Sequence, residues 1–337
     1  MIINGTKAAA EVRRSVRGTI IEHLDKYDRA PCLAIITCSD DEASKVYVGR
    51  KVKACEEAGI TVIRKVFDES AITLDITAYI RALNKSKSVD GILLQLPLRR
   101  GIDEQKCLET IDPQKDVDGL TPVNQGRVLL GTKGHRPCTP QGVLTLLDMH
   151  GIETEGKEVC IVGRSSLVGR PLAAMLSAKG RDATVTLLHS KSGNVEDHLR
   201  RADIIVTATG QPRYLKADMV SSGATIVDVG ICRDEQGRLC GDADFADITS
   251  KVSVNITPVP GGVGPMTVAT LLSNTVDTWL RYGPRTDDEF GYLRLIEGMS
   301  KEEIRQFTED YGMIDAFGNP VPPQQWRSTI EDDFPKL

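Results

Sequence analysis

No apolar run in these 337 residues approaches the roughly 20 needed to cross a bilayer. The N-terminus lacks the pattern of a secretory signal; Arg13, Arg14 and Arg17 alternate with Val12, Val16 and Ile20 as on an amphipathic helix. Glu11 and the strand-like start Met1-Ile2-Ile3 argue against a mitochondrial presequence. None of the eight cysteines lies in a C-x-x-C pair. Cys32, Cys55, Cys107 and Cys160 sit inside apolar segments, as small core residues of a reducing compartment do, which points to neither a disulfide framework nor a metal site. No internal repeat or low-complexity segment is present. The net charge of −5 is uneven: Pro284 to Leu337 holds twelve acids and six bases, which leaves the preceding chain near +1. A nearly neutral body offers no footprint for nucleic acid. These absences lead to the expectation of a cytoplasmic globular protein with neither nucleic acid nor membrane as a partner.

What is there is alternation. Ala8 to Leu24 is helical, Cys32 to Thr37 a buried strand, and Ala43 to Ala58 a helix stopped by Gly59. Thr61 to Phe67, Leu74 to Asn84 and Gly91 to Leu96 continue as strand, helix and strand. A glycine-containing loop region runs from Asp112 to Pro140, with Thr139 as N-cap and Pro140 in the first turn of a helix through Met149. A second block places strands at Val159–Val162, Thr184–Leu188, Ile204–Ala208, Thr225–Val229 and Val252–Ile256. The fold class is therefore α/β: two α/β domains with a cleft between them, the second a Rossmann-like doubly wound parallel sheet. Pro258 to Thr267, PVPGGVGPMT, reads as a rigid loop whose backbone presses on a ligand, with a helix from Thr267 to Leu280. Ser300 to Asp310 has the pattern of a capped amphipathic helix, and Gly318 to Trp326 reads as irregular.

The stretch VCIVGRSSLVGRP, Val159 to Pro171, joins a buried strand, a glycine turn and a helix start. Such a unit lets the backbone approach an anion and aims free N–H groups at it. Only Gly163 and Gly169 are glycines, and Ser165 stands where a middle glycine is usual. An NAD site expects Asp or Glu near the end of the next strand, for the ribose 2′-hydroxyl; this chain has His189-Ser190-Lys191 there, and Arg164 projects from the turn. A 2′-phosphate favours those groups, so the stretch points to NADP. The rival is a ligand-free sheet with Arg164 and Ser190 as ordinary surface residues.

Tyr47 and Lys51, at i and i+4, share one helix face. Either they are a solvated lysine beside a half-buried tyrosine, or burial penalises the ammonium form and lets Lys51 move protons. Gln95 places an amide at the end of an apolar strand. Asp118 lies in an acidic turn and also reads as a turn-former. Spacing alone does not bring these four together.

Several of these stretches resemble the bifunctional methylenetetrahydrofolate dehydrogenase/cyclohydrolase family: Ser44 to Lys51 (SKVYVGRK), Gln95-Leu96-Pro97-Leu98, Lys115 to Gly119 (KDVDG), Pro137-Cys138-Thr139-Pro140, Gly163-Arg164-Ser165 through Gly169 and Pro171, and Pro260 to Thr267 (PGGVGPMT). They follow family order and reach to about Tyr282; the tail after Pro284 is outside the resemblance. The resemblance implies oxidation of 5,10-methylenetetrahydrofolate with NADP⁺ and hydrolysis of the product to 10-formyltetrahydrofolate. It makes Lys51 the central catalyst, Tyr47 a stacking group on the folate's aminobenzoyl ring and Gln95 the partner that tunes Lys51. Asp118 would bind the pterin's amino-pyrimidine edge, and Leu96 with Pro260, Gly261, Gly262, Val263 and Gly264 would line the folate site. Gly163, Arg164, Ser165, Ser190, Ile231 and Thr267 would hold NADP. It also implies a homodimer, a folate-binding catalytic domain at 1–139 plus 258–283, an NADP-binding domain at 140–257 and an extension of unknown role at 284–337. Short-chain dehydrogenases also carry Tyr-x-x-x-Lys, but there the glycine turn comes first, whereas Tyr47 precedes Gly163. Two further rivals are a dehydrogenase without cyclohydrolase activity and a non-catalytic folate- or nucleotide-binding regulator; Lys51, Gln95 and Asp118 together speak against the regulator.

Overall fold

The computed structural model describes residues 1–27, 29–39 and 42–282. They pack as two compact units, one of residues 1–21 and 116–276, the other drawn from 22–115 and 277–282. This division by packing runs along different lines from the expected division by ligand, whose boundaries at 139/140 and 257/258 fall inside the first unit. The helix expected over Ser300–Asp310 and the irregular stretch Gly318–Trp326 lie outside the described residues.

After helix α1 (Gly5–Tyr27), the chain alternates through β1 (Cys32–Thr37), α2 (Glu42–Ala58), β2 (Thr61–Val66), α3 (Thr73–Lys85) and β3 (Gly91–Gln95) to α4 (Glu104–Thr110). The three strands form a parallel sheet in the order β2-β1-β3. Strands β1 and β3 are buried throughout, as near-continuous apolar runs covered on both faces must be, while edge strand β2 alternates with solvent. The register pairs Thr37 with Gln95, so β1 and β3 end side by side. The buried Lys115 amine donates to the carbonyls of Leu83 (2.9 Å) and Ser86 (2.5 Å), at the α3 C-terminus. A cation there meets both orphan carbonyls and the negative end of the helix dipole.

The remaining elements are α5 (Pro122–Leu130), α6 (Cys138–Met149), β4 (Glu158–Val162), α7 (Gly169–Ser177), β5 (Thr184–Leu188), α8 (Val195–Arg201), β6 (Ile204–Thr207), β7 (Thr225–Asp228), β8 (Cys232–Arg233), β9 (Leu239–Cys240), α9 (Phe245–Lys251), β10 (Asn255–Ile256) and α10 (Val263–Tyr282). Five of the strands form a parallel sheet in the order β10-β7-β6-β4-β5, and Ile2 bridges Ile256 at its edge. Alternate residues feed two cores. Val159, Ile161, Ile204, Val206 and Val227 pack with Leu144, Leu172 and Met266, whereas Cys160, Val162, Ile205 and Ile226 pack with Leu199, Leu215 and Ile248. This is the doubly wound arrangement the sequence predicts. Winding reverses at β4, so a crevice opens outside the carboxyl ends of β4 and β6, where such sheets bind their ligands.

Some expected details differ. The loop region before Pro137 contains α5, capped by the Thr121 hydroxyl on Asn124 N–H (3.3 Å) and ended by Gly131 in the left-handed region. Thr139 lies inside α6 rather than capping it; its hydroxyl is 3.1 Å from that of Thr267. Helix α10 starts at Val263, a turn before the expected Thr267, just after Gly261 with φ +104°. Only Asn255 and Ile256 of the strand expected from Val252 are paired, since Val252 still closes α9. The antiparallel hairpin β8–β9 was not expected at all.

Candidate functional site

In the first unit, Gly163 follows β4 with φ +125°, and a Cβ there would lie 2.3 Å from the Ala208 carbonyl oxygen at the end of β6. A Cβ on Gly169 would lie 1.9 Å from the Gly163 carbonyl oxygen. Both glycines are therefore required by close backbone approach. Between them, the Ser165 hydroxyl accepts Val168 N–H (3.2 Å) and the Ser165 carbonyl accepts Arg170 N–H (3.1 Å). Among the described residues, the N–H groups of Arg164, Ser165, Ser166 and Leu167 donate to no atom of the chain. Four successive open donors before a helix start form an anion cradle.

Strand β5 runs beside β4, with Gly163 N–H donating to the Leu188 carbonyl (2.9 Å), so the turn and His189-Ser190-Lys191 leave neighbouring strand ends. Lys191 N–H donates to His189 Nδ1 (3.2 Å), which places the ring proton of a neutral His189 on Nε2. Arg164, Ser165, Ser190 and Lys191 are exposed, and no carboxylate ends β5. Arg164 and Ser190 side chains have no partner among the described residues. Open amides, a guanidinium, two hydroxyls and an ammonium suit a phosphate-bearing dinucleotide with a 2′-phosphate, and a cofactor of that kind fits this cradle.

Ile231, 62% exposed, follows β7 and comes within 3.9 Å of the position a Cβ on Gly264 would take. The Pro260–Gly264 segment is fixed by backbone packing as well. Gly261 carbonyl accepts Thr6 N–H (3.0 Å), and a Cβ on Gly5 would meet the Gly262 carbonyl at 1.8 Å. Gly261, with φ +104°, thus packs on the start of α1, a Cβ on Gly262 would lie 2.6 Å from the Pro258 carbonyl oxygen, and Val263 and Gly264 already belong to α10. Asp118 is half-buried, and its carbonyl accepts Cys138 N–H (3.3 Å). The neighbouring Asp116 is the scaffold of that turn: its buried carboxylate accepts Leu120 N–H (3.1 Å), Thr121 N–H (2.8 Å) and the Asn124 amide (2.9 Å). The KDVDG motif thus divides into a helix cap (Lys115), a turn scaffold (Asp116) and a half-buried acid beside it (Asp118).

In the second unit, α2 carries Tyr47 and Lys51 one turn apart. Lys51 as a residue is only 4% exposed; its amine lies 4.6 Å from the Tyr47 ring centroid and donates to Gln95 Oε1 at 3.0 Å. Gln95, 8% exposed at the end of β3, donates its Nε2 to the Leu96 carbonyl at 2.7 Å. That second bond orients the amide, since only with Nε2 on the carbonyl can Oε1 face the lysine. Tyr47, Lys51 and Gln95 therefore form one cluster, and burial excludes the solvated lysine. Such a group can hold an amine ready to take and return a proton beside a polar substrate.

Sequence reasoning missed the buried pair Asp228 and Asp242. The first stood in view within Asp228-Val229-Gly230-Ile231, but its partner follows an unexpected hairpin. Among the described residues no group of three or more His, Cys, Asp or Glu could hold a metal ion, and no helix is long and apolar enough to cross a membrane.

Comparison with known proteins adds to this geometry. Residues 3–118 match the tetrahydrofolate dehydrogenase/cyclohydrolase catalytic domain, and residues 137–282 match the NAD(P)-binding domain of the same family. The bifunctional protein FolD of Oleidesulfovibrio alaskensis is 49% identical over 283 residues, covering 83% of this chain and 98% of that protein. The crystal structure of the bifunctional FolD methylenetetrahydrofolate dehydrogenase/cyclohydrolase of Campylobacter jejuni superposes with a TM-score of 0.79 at 43% identity, over 82% of this chain and 98% of that one. The Trypanosoma brucei methylenetetrahydrofolate dehydrogenase-cyclohydrolase, solved with NADP and an inhibitor, gives 0.79 at 33% identity, over 83% and 97%.

Proposed function

We infer, from a chain that belongs to the tetrahydrofolate dehydrogenase/cyclohydrolase family, a protein with both activities of its bifunctional relatives. It oxidises 5,10-methylenetetrahydrofolate to the 5,10-methenyl cation with NADP⁺, then hydrolyses that cation to 10-formyltetrahydrofolate. NADP⁺, when bound, supplies the acceptor for the hydride that leaves the one-carbon bridge. The observation that carries the reading is the buried Lys51 amine held by Gln95 beside Tyr47.

Each residue has a role in this reading. Arg164, Ser165 and Ser190 bind the phosphates of the dinucleotide, Gly163 admits it to the strand end, and Ile231 and Thr267 border its nicotinamide half. Asp118 accepts the adjacent N–H donors of the pterin's amino-pyrimidine edge. Tyr47 stacks on the aminobenzoyl ring, and Leu96 with Pro260 to Gly264 shapes the folate site. Hydride loss needs aligned carbons more than acid–base help, because the folate nitrogens stabilise the cation. Hydrolysis does need protons moved: Lys51 Nζ takes one from the adding water and returns it to the ring nitrogen as its C–N bond breaks, the adduct's hydroxyl proton leaves to solvent as the formyl C=O forms, and Gln95 holds the amine in place. Residues 1–139 and 258–283 serve folate and 140–257 the cofactor; assembly as a cytoplasmic homodimer completes the reading, with light scattering as its check. Mixing protein, NADP⁺ and methylenetetrahydrofolate tests the whole. NADPH and transient methenyl absorbance are expected, and a flat trace at both wavelengths refutes it.

A further inference from the structure

Asp228, a residue only 3% exposed, closes β7 with no ion-pair partner among the described residues. Four donors converge on it instead. Oδ1 accepts from the Thr207 hydroxyl (3.1 Å), Gly230 N–H (2.9 Å) and Asp242 N–H (3.1 Å), and Oδ2 accepts from Ala243 N–H (2.8 Å). They come from β6, from the loop after β7 and from the segment between β9 and α9. Asp242, fully buried beside it, accepts Thr209 N–H, Gly210 N–H (3.3 Å) and the Cys232 thiol (3.5 Å). Ile231 is thus held from both sides, Gly230 by Asp228 and Cys232 by Asp242, while its own side chain stays exposed. There is no slack: a Cβ on Gly230 would lie 2.2 Å from Asp242 Oδ1, and one on Gly241 1.9 Å from Asp228 Oδ2.

A buried carboxylate without a cation is costly, and a hydroxyl or amide could fill the same space at less cost. Resting on the reading that Ile231 borders the nicotinamide, we propose that Asp228 is a positioning residue for the hydride step: its charge pins Gly230 and so fixes Ile231, and a proton on it loosens that hold. The charged and titratable groups that face it are Asp242 before α9, Cys232 and Cys240 on the β8–β9 hairpin, and Arg213 and Asp244, which line the same cavity of about 340 Å³. Arg213 is spoken for, 3.2 Å from Asp234. Burial, offset in part by the Ala243 and Asp242 N–H bonds, pushes the Asp228 carboxyl up to about 6.

The test measures the pH profiles of dehydrogenase kcat and of methenyl-folate hydrolysis on the full chain. Wild type should lose dehydrogenase kcat as pH falls through about 6. Asp228→Asn puts an amide donor against N–H donors; it should lower dehydrogenase kcat about tenfold or more with a far smaller change in KM for NADP⁺, abolish the acid limb and leave hydrolysis intact. Thr207→Val removes one donor from the anion and should move the limb upward by about half a pH unit or more. If the Asn variant does not fold, the Thr207→Val profile decides. An Asn variant with wild-type kcat and profile, a parallel loss of both activities, or an unmoved limb in Thr207→Val overturns the inference. A wild-type protein that hydrolyses methenyl-folate but never reduces NADP⁺ overturns the assigned dehydrogenase function instead, and the inference with it.

Discussion

The cofactor turn and the lysine cluster solve recognition in opposite ways. From Gly163 to Gly169 the ligand-facing groups are backbone N–H donors and exposed side chains, and two glycines make room for them. Around Lys51 they are side chains out of water, ordered by one another through Gln95 and the Leu96 carbonyl. A backbone cradle tolerates changes in its exposed side chains and fails when a Cβ intrudes. A buried side-chain cluster tolerates nothing at the atoms that touch and is indifferent to the cradle.

That contrast can be broken by substitution. The largest effect is expected from Lys51→Met, which removes the proton-carrying amine: cyclohydrolase turnover should fall by about a thousandfold or more, with NADP affinity unchanged by titration. Normal hydrolysis of methenyl-folate by this variant would sink the assignment. Gly169→Ala should come next. Its methyl meets the Gly163 carbonyl at 1.9 Å, so the turn must move; a stability loss of about 3 kcal/mol in denaturant unfolding is expected, along with weakened NADP binding. Arg164→Ala leaves the amides in place and should cost about ten- to a hundredfold in NADP affinity, with NAD affinity nearly untouched. Equal losses for both cofactors would remove the case for 2′-phosphate recognition. The smallest effect concerns Asp228. Its folded-state value, about 6, lies above the ordinary 3.8. The folded protein therefore binds more protons across that interval, and this carboxyl makes the fold progressively less stable as pH rises from about 4 to about 6, then no further. Asp228→Asn should flatten that part of a thermal-stability profile measured against pH, and an unchanged slope would show that another group causes it.

Legibility followed the same contrast. Strand β1 is legible to the residue, because a buried parallel strand is a continuous apolar run. Helix α5 escapes sequence reasoning although Thr121-Pro122 and Gly131 bracket it, because the surrounding glycines and prolines read as loop. The glycines at 261 and 262 read from the sequence as contacts for a ligand; that they also pack on Thr6 and Gly5, more than 250 residues away, is not recorded in any local spacing. The β8–β9 hairpin is invisible because two-residue strands leave no periodicity.

Alternation of helix and strand, the glycine turn, the lack of an acid after β5 and the shared face of Tyr47 and Lys51 are all local, and period and residue type were enough to settle them. That Gln95 meets Lys51 across 44 residues, and that the Asp242 N–H donates to a buried carboxylate 14 residues earlier, was decided only by folding. Parallel strands bring their carboxyl ends together whatever the length of chain between them, and no spacing in the sequence records which ends will be neighbours.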